Sequence, residues 1–501
     1  MDLNNLEQQR VEKLERLRMA GMEPYPRRVQ RTHTTQKACR AYEAAESTES
    51  IPPTVTVAGR LVSIRVMGKV AFAHLEDESG KLQLFLRRNE LGEDLYTLFK
   101  KAFDLGDFVE ATGPLVRTRT GEISVQATSL RMLAKALTPL PIPKEYTDEA
   151  GKLTRYSAFS DTEERYRQRY ADLAVNPEVR ELFRTRSRTI TALRAWLDTH
   201  DYLEVETPIL QPIYGGAAAR PFTTHHNQLK QDLYLRISFE LYLKRLLVGM
   251  FERVYEIGRD FRNEGISYKH NPEFTQLEMY CAYTDLYGMM ETVEQLLSAT
   301  AQAVLGTRHI SYQGHQLDLT PPWRRLSLRT VIREGTGIDY SDFPTAGALR
   351  AEMRQRGYDA AEKATWGHLV DNLLSEVEPS LLQPTFIHDY PVEISPLAKQ
   401  KVDDPTHVER FELFVGGMEL GNAFTELNDP FEQEQRFLQQ GRASAAGDEE
   451  AQPMDKDYLR ALKYGMPPNG GFGLGVDRLA MLFTDRHSIR EVLLYPHLRA
   501  K

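Results

Sequence analysis

The segment VYEIGRDFRNEGISYKHNPEFTQLEMYCAY, residues 254–283, constrains the fold of this chain more than any other. Two alternating runs flank a loop with glycine and lysine, and a side-chain period of two marks strands with unlike faces. On the first run Tyr255, Ile257 and Phe261 share a face, opposed by Asp260, Arg262 and Glu264. On the second, Thr275, Leu277 and Met279 oppose Phe274, Gln276, Glu278 and Tyr280. Each strand thus has an apolar face for a core and a charged, aromatic face for something else. Charge pairing across an exposed sheet is the plainest account of the polar side. Such a face, however, seldom needs Arg262 among so many aromatics.

A second constellation is RFELFVGGMELGN, where Gly416-Gly417 between apolar runs marks a two-residue hairpin turn. If Val415 pairs with Met418, then Phe414 opposes Glu419 and Glu412 opposes Gly421, which makes Glu412 and Glu419 diagonal neighbours on one face. Such side chains stand about 7–8 Å apart, so two bare carboxylates repel unless a cation lies between them. Oxygen ligands of this kind suit Mg2+, which keeps waters and bridges to substrate phosphates. Neutralisation by nearby Arg410 or another base is the rival reading. Downstream, Asn422, Phe424 and Glu426 end the sheet before a helix start made by Asp429, Pro430 and Glu432. Their parity is opposite to that of Glu419, so one shared pocket requires a bulge or bend near Gly421.

Near the C-terminus, GGFGLGVDRLAMLF puts Gly471, Gly473 and Gly475 on one strand face and Phe472, Leu474 and Val476 on the other. Missing side chains on one face let a flat ligand or another backbone come close. Arg478 falls in the first turn of the helix that follows, where a cation opposes the helix dipole unless an anion such as a polyphosphate is present.

The rest of the chain supplies the frame. With 501 residues, two or three domains fit, and a hydrophobic content of 41% is ordinary for a folded protein. Residues 4–20 place Leu6, Val11, Leu14 and Leu17 near helical spacing, with Gly21 and Pro24 as stops. The cations Arg10, Lys13, Arg16 and Arg18 on that helix read as a solvated face, with phosphate contact as the alternative. From Val55 to Leu133, short alternating runs broken by MGK, ESGK and RTGE predict a small antiparallel barrel. Its leucine and alanine faces must be core. Phe72, His74, Gln83, Phe85 and Arg87 are left facing outward, which suits base stacking with edge hydrogen bonds, unless a helix or partner domain covers the two phenylalanines. Residues 141–165 show no periodicity and read as a connector. A long helix carrying Val179, Leu182, Phe183, Ile190, Leu193 and Leu197 runs into the strand-like DYLEVETPIL. Residues 344–382 read as helices inserted between two halves of a sheet, and 441–452 as a mobile loop.

Composition narrows the function further. Cys39 and Cys281 are the only cysteines, too few for a disulfide framework or a four-cysteine zinc site. A formal charge of -8 excludes indiscriminate attraction to nucleic acid, so any RNA contact needs local patches. No run of about 18 apolar residues exists to span a membrane, and MDLNNLEQQR lacks the apolar stretch of a secretory signal, so a cytoplasmic location is expected.

Taken in order, these segments resemble the bacterial class II lysyl-tRNA synthetases over nearly the whole chain. VETPIL looks like the end of their first motif, FRNEGISYKHNPEFT their second, and GFGLGVDR their third. YGGAAARPFTTHHN, ELYLKRL, PLAK, RFELFVGG, LGNAFTELND and GMPP are similar to lysine-enzyme signatures. The resemblance implies an α+β protein: an amphipathic helix over 1–22, an OB-fold anticodon-binding barrel over 23–140, a connector over 141–178, and a class II catalytic domain over 179–501. That domain would be an antiparallel sheet flanked by helices. The implied reaction is lysine activation by ATP, then transfer to the 3′-hydroxyl of the terminal adenosine of tRNA(Lys), in a homodimer. By the same resemblance Arg262 and Arg478 would be catalytic, Glu264, His270, Asn271 and Phe274 would complete the ATP site, and Glu412 and Glu419 would hold Mg2+. Gly216, Glu240, Glu278, Tyr280, Asn422, Phe424 and Glu426 would take lysine, and Phe72, Gln83 and Glu122 would read the anticodon. The chain departs from the family pattern at Ser238-Phe239, where Ala-Pro is usual, at Tyr214, where proline is common, and at Met418, where arginine is common.

Rival readings are an aspartyl- or asparaginyl-type synthetase, a lysine ligase acting on protein, and a catalytically dead RNA-binding relative. Glu278 and Glu426 have the wrong sign for aspartate. The barrel argues against the second rival, and the presence of Arg262, Arg478, Glu412 and Glu419 argues against the third.

Overall fold

The computed structural model describes residues 2–141, 144–147, 153–156, 159–362, 364–445 and 452–499. The chain forms two compact units, Met1–Asp161 and Thr162–Lys501.

In the first unit, the helix Asn5–Met19 begins with a capping box: Asn4 Oδ1 accepts from the Leu6 and Glu7 amides, and Glu7 Oε2 accepts from the Asn4 amide. Its cations are engaged within the unit. Arg10 donates to Ala136 O at 2.7 Å, Lys13 pairs with Asp104 at 2.5 Å, and Arg16 donates to Lys101 O at 3.2 Å. These three fasten the helix to its neighbours, a clamp in place of phosphate contact, while Arg18, paired with Glu15 on the same helix, stays on a solvated face as expected.

The strands β1 (Thr54–Met67), β2 (Val70–Asp77), β3 (Gly80–Arg87), β4 (Phe108–Arg117) and β5 (Ile123–Ala127) close a barrel in the order β1-β2-β3-β5-β4, with β4 returning to β1. Only the β3–β5 pairing is parallel. Ala71, Ala73, Leu75, Leu82, Leu84 and Leu86 point inward and are buried, each leucine contributing on the order of 2 kcal/mol. A helix that the sequence pattern did not reveal, Thr35–Ser47, is pinned by Asp77, which accepts from the Thr35 amide at 2.9 Å and the Thr35 hydroxyl at 2.7 Å. The expected connector holds a short antiparallel pair, Lys144–Thr147 with Leu153–Tyr156, whose four-residue strands are too brief to show a period; residues 142–143, 148–152 and 157–158 lie outside the described residues.

The second unit is built on an eight-stranded sheet. In spatial order its strands are Arg324–Ser327, Thr385–Pro391, His407–Val415, Met418–Thr425, Asn469–Gly475, Glu273–Ala282, Arg253–Phe261 and Leu203–Glu204. One face carries Tyr255, Leu277, Met279, Phe411, Leu413, Phe472 and Leu474 into a core shared with the helices Pro177–Thr199, Leu286–Leu305 and Val476–Phe483. Inserted helices Ala346–Gln355 and Trp366–Val377 help form a second core around Leu349, Leu369 and Leu373. Among the described residues no helix is long and apolar enough to cross a membrane.

Three expectations change. DYLEVETPIL is strand only at Leu203–Glu204 and Leu210, because Glu256 draws off the amide and hydroxyl of Thr207 and Pro208 follows. The loop expected over 441–452 is helical as far as Ala445, part of Pro430–Ala445, and residues 446–451 lie outside the described residues. The hairpin has Gly416 and Gly417 at φ +65° and +74°, as a tight turn of primed type requires. Its register, however, breaks after Phe414↔Glu419: Leu413 faces Gly421, and Glu412 faces Asn422 rather than Gly421. Leu420 is the extra residue of a β-bulge. That single insertion reverses parity, placing Asn422 and Phe424 on the same face as Glu419.

Candidate active site

The sheet face away from the first core bounds a cavity of about 900 Å3. Its wall brings together every residue proposed for the second unit: Gly216, Glu240, Arg262, Glu264, His270, Asn271, Phe274, Glu278, Tyr280, Glu412, Glu419, Asn422, Phe424, Glu426 and Arg478. Glycine makes the floor. A Cβ on Gly471 would stand 2.3 Å from both Glu426 Oε1 and Tyr280 Cε1, and one on Gly473 would stand 2.9 Å from Gln276 Nε2. The glycine strand thus leaves room for side chains of its neighbours to cross it.

One end is cationic. The Arg262 guanidinium lies 5.1 Å from the Phe274 ring centre. Arg478 donates to Glu419 O at 2.7 Å, to Glu419 Oε2 at 3.0 Å, and to His270 Nε2 at 3.1 Å. Arginine can only donate, so Nε2 of His270 must accept, and the ring proton then sits on Nδ1, 2.8 Å from Ser267 Oγ. Partial burial and then the charges of Arg478 and Lys269 lower His270 to about 4, which keeps it in that neutral form. Asn271 donates to Glu273 O at 2.6 Å while its buried Oδ1 has no partner. Glu264 is exposed at the rim.

Next to these lie the paired carboxylates. Burial lifts Glu412 to about 8 against the opposing Arg410, with Glu419 and Asp371 adding to the rise. Burial also pushes Glu419 upward, but Arg478, Arg410 and Arg262 outweigh it and hold it below its ordinary value. Arg410 stands 2.5 Å from Glu412, so the neutralisation reading from the sequence has its partner in place. Among the described residues no group of three or more His, Cys, Asp or Glu side chains is placed to hold a metal on its own. Two carboxylates do fit a Mg2+ that takes its remaining ligands from phosphate and water.

The other end is anionic. Glu278 Oε1 accepts from Ser238 Oγ at 2.7 Å, Gln276 Nε2 at 3.1 Å and the Phe239 amide at 3.2 Å, and Oε2 accepts from Tyr280 Oη at 3.1 Å. Burial, then repulsion from Glu240, raises this carboxyl to about 7. Glu426 is raised to about 8 by burial, with Glu240 and Glu278 adding to the rise and Lys244 opposing it. Lys244 Nζ lies 2.5 Å from Glu426 Oε2, an ion pair, and the Glu426 carboxylate is buried. The same ammonium stands 2.5 Å from Glu240 Oε1. Gly216, at φ +90°, donates its amide to Gln452 Oε1 at 3.1 Å, and a Cβ there would meet Ser238 Oγ at 2.7 Å. Asn422 accepts from Arg410 Nε at 3.1 Å, while Tyr280 is buried and Phe424 half-buried. Lys244 was not foreseen: four residues after Glu240 on a helix, it carries the pattern of a solvated ion pair.

In the barrel unit, Phe72 and Phe85 stack on each other, centres 5.0 Å apart and planes at 11°, and both stay half-exposed. Gln83 Nε2 donates to Glu122 Oε2 at 2.6 Å, Gln83 Oε1 accepts from Ser124 at 2.9 Å, and His74 Nε2 lies 2.7 Å from Glu122 Oε1. Strand parity and the turn before β5 bring Phe72 and Glu122 close together, but Gln83, expected to face outward, is buried because Glu122 and Ser124 hold both ends of its amide.

Comparison with known proteins agrees with both units. Residues 161–499 match the tRNA synthetases class II (D, K and N), and residues 55–133 match the OB-fold nucleic acid binding domain. The chain is 55% identical to the lysine–tRNA ligase of Roseiflexus castenholzii (strain DSM 13941 / HLO8), over 100% of both chains. Identity is 52% to the lysine–tRNA ligase of Chloroflexus aurantiacus (strain ATCC 29366 / DSM 635 / J-10-fl), over 100% of this chain and 99% of that one. To that of Bacillus subtilis (strain 168) it is 47%, over 100% of this chain and 98% of the other. The chain belongs to the lysine–tRNA ligase family of class II tRNA synthetases.

Each departure from the family pattern has a physical place. Ser238 and the Phe239 amide both donate to Glu278. Tyr214 packs edge-on to Tyr234, centres 5.1 Å apart, and Met418 is buried with its sulfur 4.0 Å from Tyr312 Oη.

Proposed function

We infer that the chain joins L-lysine to tRNA(Lys) in two steps, as a cytoplasmic homodimer. In the first, a carboxylate oxygen of lysine attacks the α-phosphorus of ATP, forming lysyl-adenylate as pyrophosphate leaves. In the second, the 3′-hydroxyl of the terminal adenosine attacks the activated carbonyl and AMP leaves.

The observation that carries this reading is the trio of buried carboxylates Glu240, Glu278 and Glu426, of which Glu240 and Glu426 share the ammonium of Lys244. Such a site is costly until cations enter it, and it repels an acidic substrate such as aspartate. Glu278 and Glu426 take the ε-ammonium, Glu240 and Gly216 the α-ammonium, and Asn422 the carboxylate side, while Tyr280 and Phe424 flank the aliphatic stem. Arg262 holds the α-phosphate and stabilises charge that develops in line, and Arg478 with His270 clamps the distal phosphate. Phe274 stacks the adenine, with Glu264 and Asn271 completing that site. Glu412 and Glu419 hold Mg2+, which supplies Lewis-acid neutralisation of the phosphates. Phe72, Gln83 and Glu122 read anticodon bases by stacking and edge hydrogen bonds.

Lysine-dependent ATP–pyrophosphate exchange in the presence of Mg2+, run across a panel of amino acids, tests the reading. Exchange with lysine alone is expected; exchange with aspartate instead, or with no amino acid, overturns it.

A further inference from the structure

The amino-acid pocket carries an inference that rests on the lysine reading and goes beyond it. Glu240, Glu278 and Glu426 are 4%, 3% and 1% exposed, and they come from three different elements. Among the described residues the cation set between them is Lys244, with a wholly buried side chain 2.5 Å from both Glu240 and Glu426. The other cations near the cluster are engaged elsewhere, and a fourth buried carboxyl, Asp260, is itself pushed well above its ordinary value by burial and then by Glu278. Arg410 pairs with Glu412 at 2.5 Å, and Arg236 pairs with Glu256 at 2.6 Å and Asp260 at 3.3 Å, with Arg262 also acting on Asp260. Burial keeps the Tyr280 and Tyr458 hydroxyls un-ionised. Three carboxylates and one fixed ammonium leave a deficit of two cations in a dry site, and that ammonium is shared between Glu240 and Glu426. Buried carboxylates in that position take up protons rather than stay charged.

We propose that protons fill this deficit in the empty pocket and that the two ammonium groups of lysine displace them, with Lys244 the positioning residue that sets the deficit at two. Burial first, then mutual repulsion, puts Glu278 at about 7 and Glu426 at about 8, so near neutral pH the protons are there to be lost. An ammonium beside each carboxylate reverses the shift, and affinity for lysine rises with pH by about tenfold per unit for each proton expelled. Above about pH 8 the carboxylates are already ionised while empty, and the release fades.

Isothermal titration of lysine into the full-length protein, repeated in buffers of different ionisation enthalpy, counts the protons released. About one proton or more per lysine is expected at pH 7, declining as pH rises to about 8 and beyond. A count near zero at pH 7, or one that does not change with pH, overturns the proposal. Absence of any lysine-binding heat overturns instead the lysine reading beneath it, so the two failures are distinct. Lys244→Met is expected to bring the count at pH 7 to about two, the number of ammonium groups lysine supplies, with one proton kept in the lysine-bound pocket, and Lys244→Arg to restore the wild-type count. A merely structural Lys244 would change stability and leave the count unmoved, which also overturns the proposal. Where Lys244→Met does not fold, the Lys244→Arg count and the wild-type pH series decide it.

Discussion

Replacing Glu278 with glutamine removes one charge and almost no volume. Three donors converge on Oε1 at 2.7–3.2 Å, so they hold the amide oxygen of the new side chain there. Its NH2 group then takes the place of Oε2, where the Tyr280 hydroxyl, at 3.1 Å from that oxygen, can turn to accept from it. A group that carries only hydrogens now faces the ε-ammonium. Breaking one partner of a buried charge pair costs about 3–5 kcal/mol, which corresponds to roughly two to four orders of magnitude in affinity. In ATP–pyrophosphate exchange the KM for lysine is expected to rise by that factor while the KM for ATP is unchanged. The substrate-free protein should also melt at a higher temperature. A carboxyl raised to about 7 by folding binds its proton more tightly folded than unfolded, so it lowers stability as pH climbs from about 4.3 through 7, and glutamine removes that loss. Equal rises in both KM values, or an unchanged KM for lysine, would refute the assignment of Glu278.

Other perturbations separate the parts of the site. Gly471→Ala drives a methyl to 2.3 Å from Glu426 Oε1 and Tyr280 Cε1; a rise of about tenfold or more in the KM for lysine is expected, with the barrel unaffected, as exchange kinetics and circular dichroism would show. Phe72→Ala removes the ring stacked on Phe85 at 5.0 Å and should slow aminoacylation of tRNA by weakening its binding by about 1–3 kcal/mol, while pyrophosphate exchange, which needs no tRNA, stays at the wild-type rate. Arg478→Lys keeps the charge but loses the planar fork whose two nitrogens reach Glu419 and His270 separately, and single-turnover adenylate formation is expected to fall by about 10²–10³.

Much of the site was legible because strand parity needs only a period of two. Phe274, Gln276, Glu278 and Tyr280 lie on one face in the structure as the alternation requires, and Gly471 and Gly473 lie beside them. Arg478 stood out because a cation in the first helical turn is out of place without an anion. Glu426 was not placeable in this way. Its parity depends on one extra residue, Leu420, and a bulge leaves no mark in the alternation of a short strand.

The sequence by itself determined which faces are apolar, where the tight turn at Gly416-Gly417 falls, and that Phe274, Gln276, Glu278 and Tyr280 share a strand face, because these follow from periodicity and local backbone preference. Only the tertiary structure decided that Arg10, Lys13 and Arg16 clamp a helix, that Leu420 is the bulge, and that Lys244 is buried between Glu240 and Glu426. A charge four residues from its partner looks the same on paper whether water or protein surrounds it, and burial, which turns that pair from a solvated ornament into the term that sets the pocket's charge, is a property of packing between distant segments.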